Sequence, residues 1–170
     1  MVAIGEWTQP MRILIAAVGR LKAGPDRALA ERYRERAAAA SRALGIRTID
    51  LIEVKESRAG DAGRRVTEEA IALASIVPER AAAVVLDSSG DNLASEAIAR
   101  QLRGWQDGGR ESVCFLIGGP DGLGGGLRER ADLMLAFGAA TWPHQLVRIM
   151  LMEQIYRAVT ILSGHPYHRE

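Results

Sequence analysis

Apolar and polar positions along this chain follow two periods, one typical of strands and the other typical of helices. Short apolar runs such as residues 12–18 end at a glycine, whereas longer segments repeat with helical spacing and end near glycine or proline. The predicted strands cover residues 12–18, 47–54, 82–86, 112–117 and 134–137. The predicted helices cover residues 25–44, 61–77, 95–106, 127–133 and 143–162.

Strands that alternate with helices predict an α/β fold, with a mostly parallel sheet covered by helices on both faces. The sequence Asp-Ser-Ser-Gly at 87–90 is typical of a turn, and we expect it to close the third strand. Residues 11–170 are expected to form a single domain. Residues 1–10 precede the first strand and are expected to be a flexible N-terminal extension.

Composition narrows the class of protein further. The 170 residues are 48% hydrophobic and 25% charged, which is typical of a globular domain, and the net charge of +1 excludes a strongly basic nucleic-acid binder. An RNA-binding role would therefore need a local basic patch. Cys114 is the only cysteine, so no internal disulfide can form, and the chain suits the reducing cytoplasm.

Neither end of the chain predicts a targeting or membrane segment. Residues 1–10 lack the basic start and apolar core of a signal peptide. The segment 144–163 is apolar, but Arg148, Glu153, Gln154 and Arg157 interrupt it, and such groups are costly in hydrocarbon. We therefore expect a buried helix in a protein that does not bind a membrane.

The glycine-rich segment 118–122 follows a predicted buried strand, the usual position of a ligand in an α/β fold. Glycines allow a backbone to approach a ligand closely, and Pro120 with Gly122 fits a type I turn. The segment matches neither standard phosphate-binding template, so a dinucleotide or a triphosphate is disfavoured. A plain strand-to-helix turn is an equally good interpretation of these residues.

Three further features carry candidate chemistry. Small residues at 138–140 precede Thr-Trp-Pro and a helix start, where His144 fits a structural hydrogen-bonding role better than a catalytic one. Glu153 and Arg157 are spaced to pair on the long last helix. That helix is apolar nearly all round, which favours burial against a partner subunit, although a central helix in a monomer is the alternative.

The last seven residues concentrate imidazole, phenol and guanidinium groups, which can transfer protons, hold anions and stack on bases. A metal site made by His144, His165, His168 and Cys114 is disfavoured, because the spacing matches no standard zinc pattern. A thiol inside a strand is also a poor nucleophile, since it usually behaves as a small hydrophobic group.

Four segments together resemble one family over about residues 11–170. Leu-Ile-Gly-Gly-Pro-Asp-Gly-Leu at 116–123, Pro-His-Gln-Leu-Val-Arg at 143–148, Glu-Gln-Ile-Tyr-Arg-Ala at 153–158 and His-Pro-Tyr-His-Arg-Glu at 165–170 are similar to the RlmH-type ribosomal methyltransferases. Those are small SPOUT-class enzymes that use S-adenosylmethionine to methylate N3 of a pseudouridine in a stem-loop, helix 69, of the large-subunit RNA. The resemblance implies a C-terminal trefoil knot and a homodimer that acts on the ribosome.

The resemblance also implies which residues form the site. Those expected to hold the cofactor are Leu86, Gly118, Gly119, Gly138, Ala139, Ala140, Thr141, Trp142 and Pro143. The candidate catalytic residues are His168, Arg169, Tyr167 and His144, and the candidate substrate-binding residues are Arg148, His165 and Arg20. Two alternatives stay open: another α/β enzyme with a nucleotide cofactor, such as a dehydrogenase, and a non-catalytic RNA-binding protein that kept the fold.

Overall fold

The computed structural model describes residues 10–169, so the expected extension at 1–10 lies almost wholly outside the described residues. The strands are β1 (Met11–Val18), β2 (Ile46–Val54), β3 (Ala81–Asn92), β4 (Ser112–Ile117) and β5 (Leu133–Ala136). The helices are α1 (Pro25–Ser41), α2 (Ala62–Ala74), α3 (Ser95–Asp107), α4 (Gly125–Glu129) and α5 (His144–Ser163).

The five strands form one sheet in the order β2-β1-β4-β3-β5, and every neighbouring pair is parallel. Alternate residues of β1 point into different cores, because successive side chains of a strand leave opposite faces. Ile13 and Ile15 pack with apolar residues of α1, α3 and α5, whereas Leu14 and Ala16 pack with those of α2 and α4. The predicted α/β fold with helices on both faces is therefore confirmed.

The helix α5 lies across the sheet between α1 and α3, and Ile155, Ala158 and Val159 are fully buried there. We expected one side of this helix to pack in its own domain and another side against a partner subunit. Most of its apolar residues are buried by the chain itself. Within the described part of the chain, no helix combines the length and the hydropathy that a membrane span requires. The prediction of a buried helix is confirmed.

The prediction that the third strand ends in a turn at 87–90 is wrong. The strand continues to Asn92, and both Leu86 and Asp91 lie opposite Leu135 of β5, so residues 87–90 form a bulge in β3. A Cβ on Gly90 would lie 2.6 Å from the carbonyl carbon of Met134. The bulge therefore depends on close contact with β5, which local sequence does not reveal.

The short helix predicted at 127–133 instead spans Gly125–Glu129. The helix ends early because of a tertiary contact: two hydrogen bonds tie Asp132 to Ala83 of β3. Its backbone N–H donates to the Ala83 carbonyl at 2.8 Å, and its carboxylate accepts from the Ala83 N–H at 2.8 Å. The first helix is also shorter than predicted, since residues 42–44 tighten into a 3-10 turn that ends at Gly45.

Candidate functional site

A cavity of about 250 Å³ opens at the carboxyl ends of β3, β4 and β5, beside the start of α5. Ligands of parallel α/β sheets bind at this edge. Its lining combines apolar strand ends, the 118–122 segment, the 138–142 segment and a few charged or polar groups. The lining residues are Leu86, Asp87, Ser88, Ile117, Gly118, Gly119, Pro120, Gly122, Leu123, Arg128, Leu135, Ala136, Phe137, Gly138, Ala140, Thr141, Trp142, His144 and Val147.

The segment 118–122 forms the turn that its sequence predicts. The Gly122 N–H donates to the Gly119 carbonyl at 3.0 Å. Arg65 of α2 holds the turn from outside through two hydrogen bonds to the Asp121 carboxylate, at 2.7 and 3.1 Å, and these bonds lower the pKa of Asp121. A Cβ on Gly119 would lie 2.9 Å from Oε2 of the buried Glu69 and 3.0 Å from the Val18 side chain, so the glycine lets this part of the turn lie close against α2 and β1.

The segment 138–142 forms the opposite wall. Gly138 has a left-handed φ of +91° and its N–H donates to the Asn92 side chain at 2.7 Å. The Trp142 indole N–H donates to the Phe137 carbonyl at 2.9 Å, which folds the segment back on itself. Of the nine residues predicted to hold a cofactor, seven line the cavity, and Ala139 and Pro143 lie outside the lining in the same segment.

Among the lining residues that we did not predict, three are polar or charged: Asp87, Ser88 and Arg128. Asp87 and Ser88 belong to the bulge in β3, and Arg128 lies on α4. Arg128 donates to Oδ2 of Asp87 across the cavity. A polar cluster directly after a buried strand was the available signal, but we assigned it to a plain turn.

The described C-terminal residues, 164–169, pack back onto α5 and α3, and none of these six lines the cavity. His168 Nε2 lies 2.7 Å from Glu96 Oε1, and its Nδ1 lies 3.4 Å from Arg157 Nη1. Arginine can only donate, so Nδ1 accepts and Nε2 carries the proton that is donated to Glu96. An imidazole with its proton on Nε2 satisfies both contacts. The backbone hydrogen bond of Glu96, followed by the bond from His168, lowers the pKa of Glu96.

Tyr167 is held by the same cluster. Its hydroxyl donates to Glu153 Oε1 at 3.1 Å, and the Arg157 guanidinium lies 4.9 Å from its ring centroid. Burial, followed by the negative charge of Glu153, raises the pKa of Tyr167 to about 12. Arg157 also bonds Glu153 at 2.9 Å, which confirms the predicted pair on the last helix.

Arg148 does not lie where a phosphate could reach it. Its side chain is 1% exposed and donates to Glu53 at 2.7 Å and to the Val18 and Gly19 carbonyls at 3.2 and 3.1 Å. Burial lowers the pKa of Arg148, and the charge of Glu53 opposes that effect. The placement corrects its predicted role, since this side chain joins α5 to the ends of β1 and β2.

The remaining candidates are spread around the cavity. His144 lines it, whereas Arg20 is exposed on an adjacent depression together with Lys22 and Pro143. His165 and Arg169 are exposed on the tail. Cys114 is fully buried inside β4, and burial raises its thiol pKa to about 12, so it is the small hydrophobic group that its position predicted.

The fold and the cavity define an α/β protein with a small-molecule site formed by glycine-rich loops at the carboxyl edge of a parallel sheet. The chain belongs to the SPOUT methyltransferase family: the family model described as "Predicted SPOUT methyltransferase" matches residues 11–168. This confirms the resemblance and makes the dehydrogenase alternative wrong.

Relatives in several bacteria cover nearly the same length. Proteins named "Ribosomal RNA large subunit methyltransferase H" from Rhodopseudomonas palustris (strain BisB18), Bradyrhizobium sp. (strain BTAi1) and Afipia carboxidovorans are 56%, 57% and 58% identical to this chain over 159 residues. The matched region is 94% of this chain and 99% of each relative.

Proposed function

We propose that this protein transfers a methyl group from S-adenosylmethionine to N3 of a pseudouridine in large-subunit ribosomal RNA, in the helix 69 stem-loop on the ribosome. The observation that carries the proposal is the cavity in which the 118–122 turn and the 138–142 segment meet. Membership of a methyltransferase family and the names of the relatives support the reaction and the RNA class.

The residues present fit S-adenosylmethionine. Leu86, Ile117 and Leu135 offer apolar walls for an adenine ring, and the 118–122 and 138–142 backbones bring peptide groups to the cavity. Asp87 and Arg128 supply the charged groups that an amino acid requires. When bound, the cofactor supplies an electrophilic methyl group on a sulfonium.

Methylation at N3 requires loss of the imide proton of the base. The protein's part is to hold N3 in line with the methyl group and to stabilise the imidate anion. His168 and Arg169 are the candidate groups for the proton and the anion, and Tyr167 is the candidate for stacking on the base. In the present arrangement His168 Nδ1 accepts from Arg157, so a role as base requires that contact to open.

The proposal includes a homodimer with the trefoil knot of the family. Residues 164–169 do not line the cavity of their own chain, and in the proposal a second copy brings its tail to the cavity. Arg20 and His165, both exposed, are the candidate RNA contacts. The ribosome's own shape supplies much of the recognition, because a chain of net charge +1 has no general affinity for RNA.

The test is transfer of labelled methyl from S-adenosylmethionine to ribosomes that lack this modification, with free large subunits assayed alongside. Label in the large-subunit RNA that is lost on deletion of residues 164–170 is the expected result. His168→Ala should lower turnover by about 10²–10⁴-fold if this side chain transfers the proton. A normal rate in that variant would leave electrostatic stabilisation as the mechanism.

Arg130→Gln is the matched control, since Arg130 is exposed and does not line the cavity. Cofactor binding without label in either particle would overturn the assigned RNA target and favour the non-catalytic alternative.

A further inference from the structure

The described lining of the cavity contains one carboxylate, Asp87, and one guanidinium, Arg128, and the two bond to each other. The Asp87 side chain is 8% exposed, whereas that of Arg128 is 43% exposed. A fixed acid therefore faces a cation that can move, inside a site otherwise lined by apolar or neutral groups and His144.

The bulge in β3 fixes the orientation of the Asp87 carboxylate. Asp87 Oδ1 accepts from the Ser89 N–H at 2.9 Å and from the Ser89 hydroxyl at 2.6 Å, which leaves Oδ2 to face Arg128. Burial works to raise the pKa of Asp87, but the Ser89 hydrogen bonds and the charge of Arg128 outweigh it and lower the pKa. Asp87 is therefore ionised and held in one orientation at neutral pH.

The proposed cofactor has a matching distribution of charge. Its amino-acid end carries an ammonium and a carboxylate on one carbon, whereas its adenosine end is neutral. A planar guanidinium binds a carboxylate through two parallel hydrogen bonds, and a carboxylate with one free oxygen accepts from an ammonium. The apolar strand ends elsewhere in the cavity suit the adenosine.

We infer that Asp87 and Arg128 recognise the amino-acid end of the methyl donor, Asp87 binding its α-ammonium and Arg128 its α-carboxylate. The inference rests on the proposed function for the identity of the donor. In the free protein the two side chains satisfy each other. Insertion of a zwitterion between them replaces one ion pair with two, so neither the buried Asp87 nor the half-exposed Arg128 loses its partner.

Calorimetric titration of the full chain with four ligands tests this assignment: S-adenosylmethionine, S-adenosylhomocysteine, decarboxylated S-adenosylmethionine and 5′-methylthioadenosine. The last two lack, respectively, the carboxylate and the whole amino-acid end. The variants are Asp87→Asn and Arg128→Gln, with Arg130→Gln as the control on the same segment, since Arg130 is exposed and outside the lining.

Arg128→Gln should weaken the binding of S-adenosylmethionine and S-adenosylhomocysteine by about 10- to 100-fold and leave the binding of the two truncated ligands unchanged. Asp87→Asn should weaken the binding of every ligand that has an ammonium by about the same factor and leave the binding of 5′-methylthioadenosine unchanged. Retained binding of 5′-methylthioadenosine also shows that each variant is folded. Arg130→Gln should bind all four ligands as the wild type does.

If Asp87→Asn weakened the binding of 5′-methylthioadenosine as much as that of S-adenosylmethionine, Asp87 would contact the ribose and the assignment would be overturned. Unchanged binding of all four ligands by both variants would overturn it too, while the proposed function would stand. A wild-type protein that binds none of the four ligands would instead overturn the proposed cofactor.

Discussion

At the scale of single residues, Arg148 is the most deeply buried charged side chain among the described residues. It is 1% exposed, and its partner Glu53 also accepts from Arg27 at 3.0 Å and from the Leu21 N–H at 2.9 Å. Removal of Arg148 would leave Glu53 with Arg27 as its remaining cation, and it would leave the Val18 and Gly19 carbonyls without their buried donor.

Arg148→Ala should therefore lower the free energy of unfolding by about 3–5 kcal/mol, measured by urea denaturation. The control is Arg80→Ala, which breaks the Arg80–Glu111 pair whose side chains are 69% and 65% exposed. That change should cost less than about 1 kcal/mol. Equal losses in the two variants would show that Arg148 is not the buried structural cation described above.

Tyr167 gives a second residue-scale prediction, which concerns pH. Its pKa is raised to about 12 from a usual value of 10.0, so docking of its neutral hydroxyl is fully favourable below pH 10 and is lost as the pH rises toward 12. The difference in alkaline absorbance titration between the wild type and Tyr167→Phe isolates this one phenol. We expect a transition near pH 12, and one near pH 10 would mean that the hydroxyl is in water.

At the scale of elements, the bulge in β3 shapes the site because it turns Asp87 and Ser88 into the cavity. Gly90→Ala should force β3 and β5 apart, since the new Cβ would meet the Met134 backbone at 2.6 Å. We expect a loss of about 1–3 kcal/mol of stability together with weaker cofactor binding, measured by thermal unfolding and calorimetry.

The control for that change is Gly104→Ala in the middle of α3, where a Cβ would meet nothing within 4 Å. Alanine is the better helix former, so this variant should gain about 0.5–1 kcal/mol. If Gly90→Ala also gained stability, the contact between the bulge and β5 would have to be looser than described.

The regular elements follow from the sequence where local pattern and burial agree. β4 matches the predicted residues 112–117 because its apolar run is buried along its whole length. Strand β3 and helix α4 depart from prediction because their bounds depend on contacts with distant residues, namely Gly90 with Met134 and Asp132 with Ala83. Local propensity carries no information about such contacts.

The same limit applies to the site. The glycine turn could be predicted from its residues, which fit a plain turn and a ligand site equally well. The cofactor role of this turn and of the 138–142 segment came from the resemblance to the methyltransferase family. Arg128 and Arg148 could not be told apart by sequence, because each is an arginine on a helix. Only tertiary packing places Arg128 at the cavity and Arg148 in the interior.

At the scale of the whole molecule, the proposed homodimer predicts that function depends on two copies, because residues 164–169 do not line the cavity of their own chain. Light scattering should give twice the chain mass of 18.4 kDa. A chain with Gly119→Val, whose new side chain would collide with Glu69 and Val18 and so displace the 118–122 turn of the cavity, should be inactive alone. A chain truncated after residue 163 should also be inactive alone. Co-expressed and purified as a mixed dimer through different tags, they should recover about half of the wild-type methyl transfer, since one of the two composite sites is intact.

Recovery is absent if each chain uses its own tail. An inactive mixed dimer would therefore contradict the composite site, provided that both chains are shown to be present and folded. A wild-type chain that is monomeric and active would contradict it as well.

The strand order also has a consequence for how the chain is made. Strand β1 is buried on both faces and lies between β2 and β4. Strand β4, at Ser112–Ile117, is synthesised long after β1, at Met11–Val18. All four strand pairings are parallel, so no hairpin can form locally to start the sheet. A nascent chain therefore carries an apolar strand with an unpaired edge until most of its length has left the ribosome, which favours slow folding and a need for chaperone protection during translation.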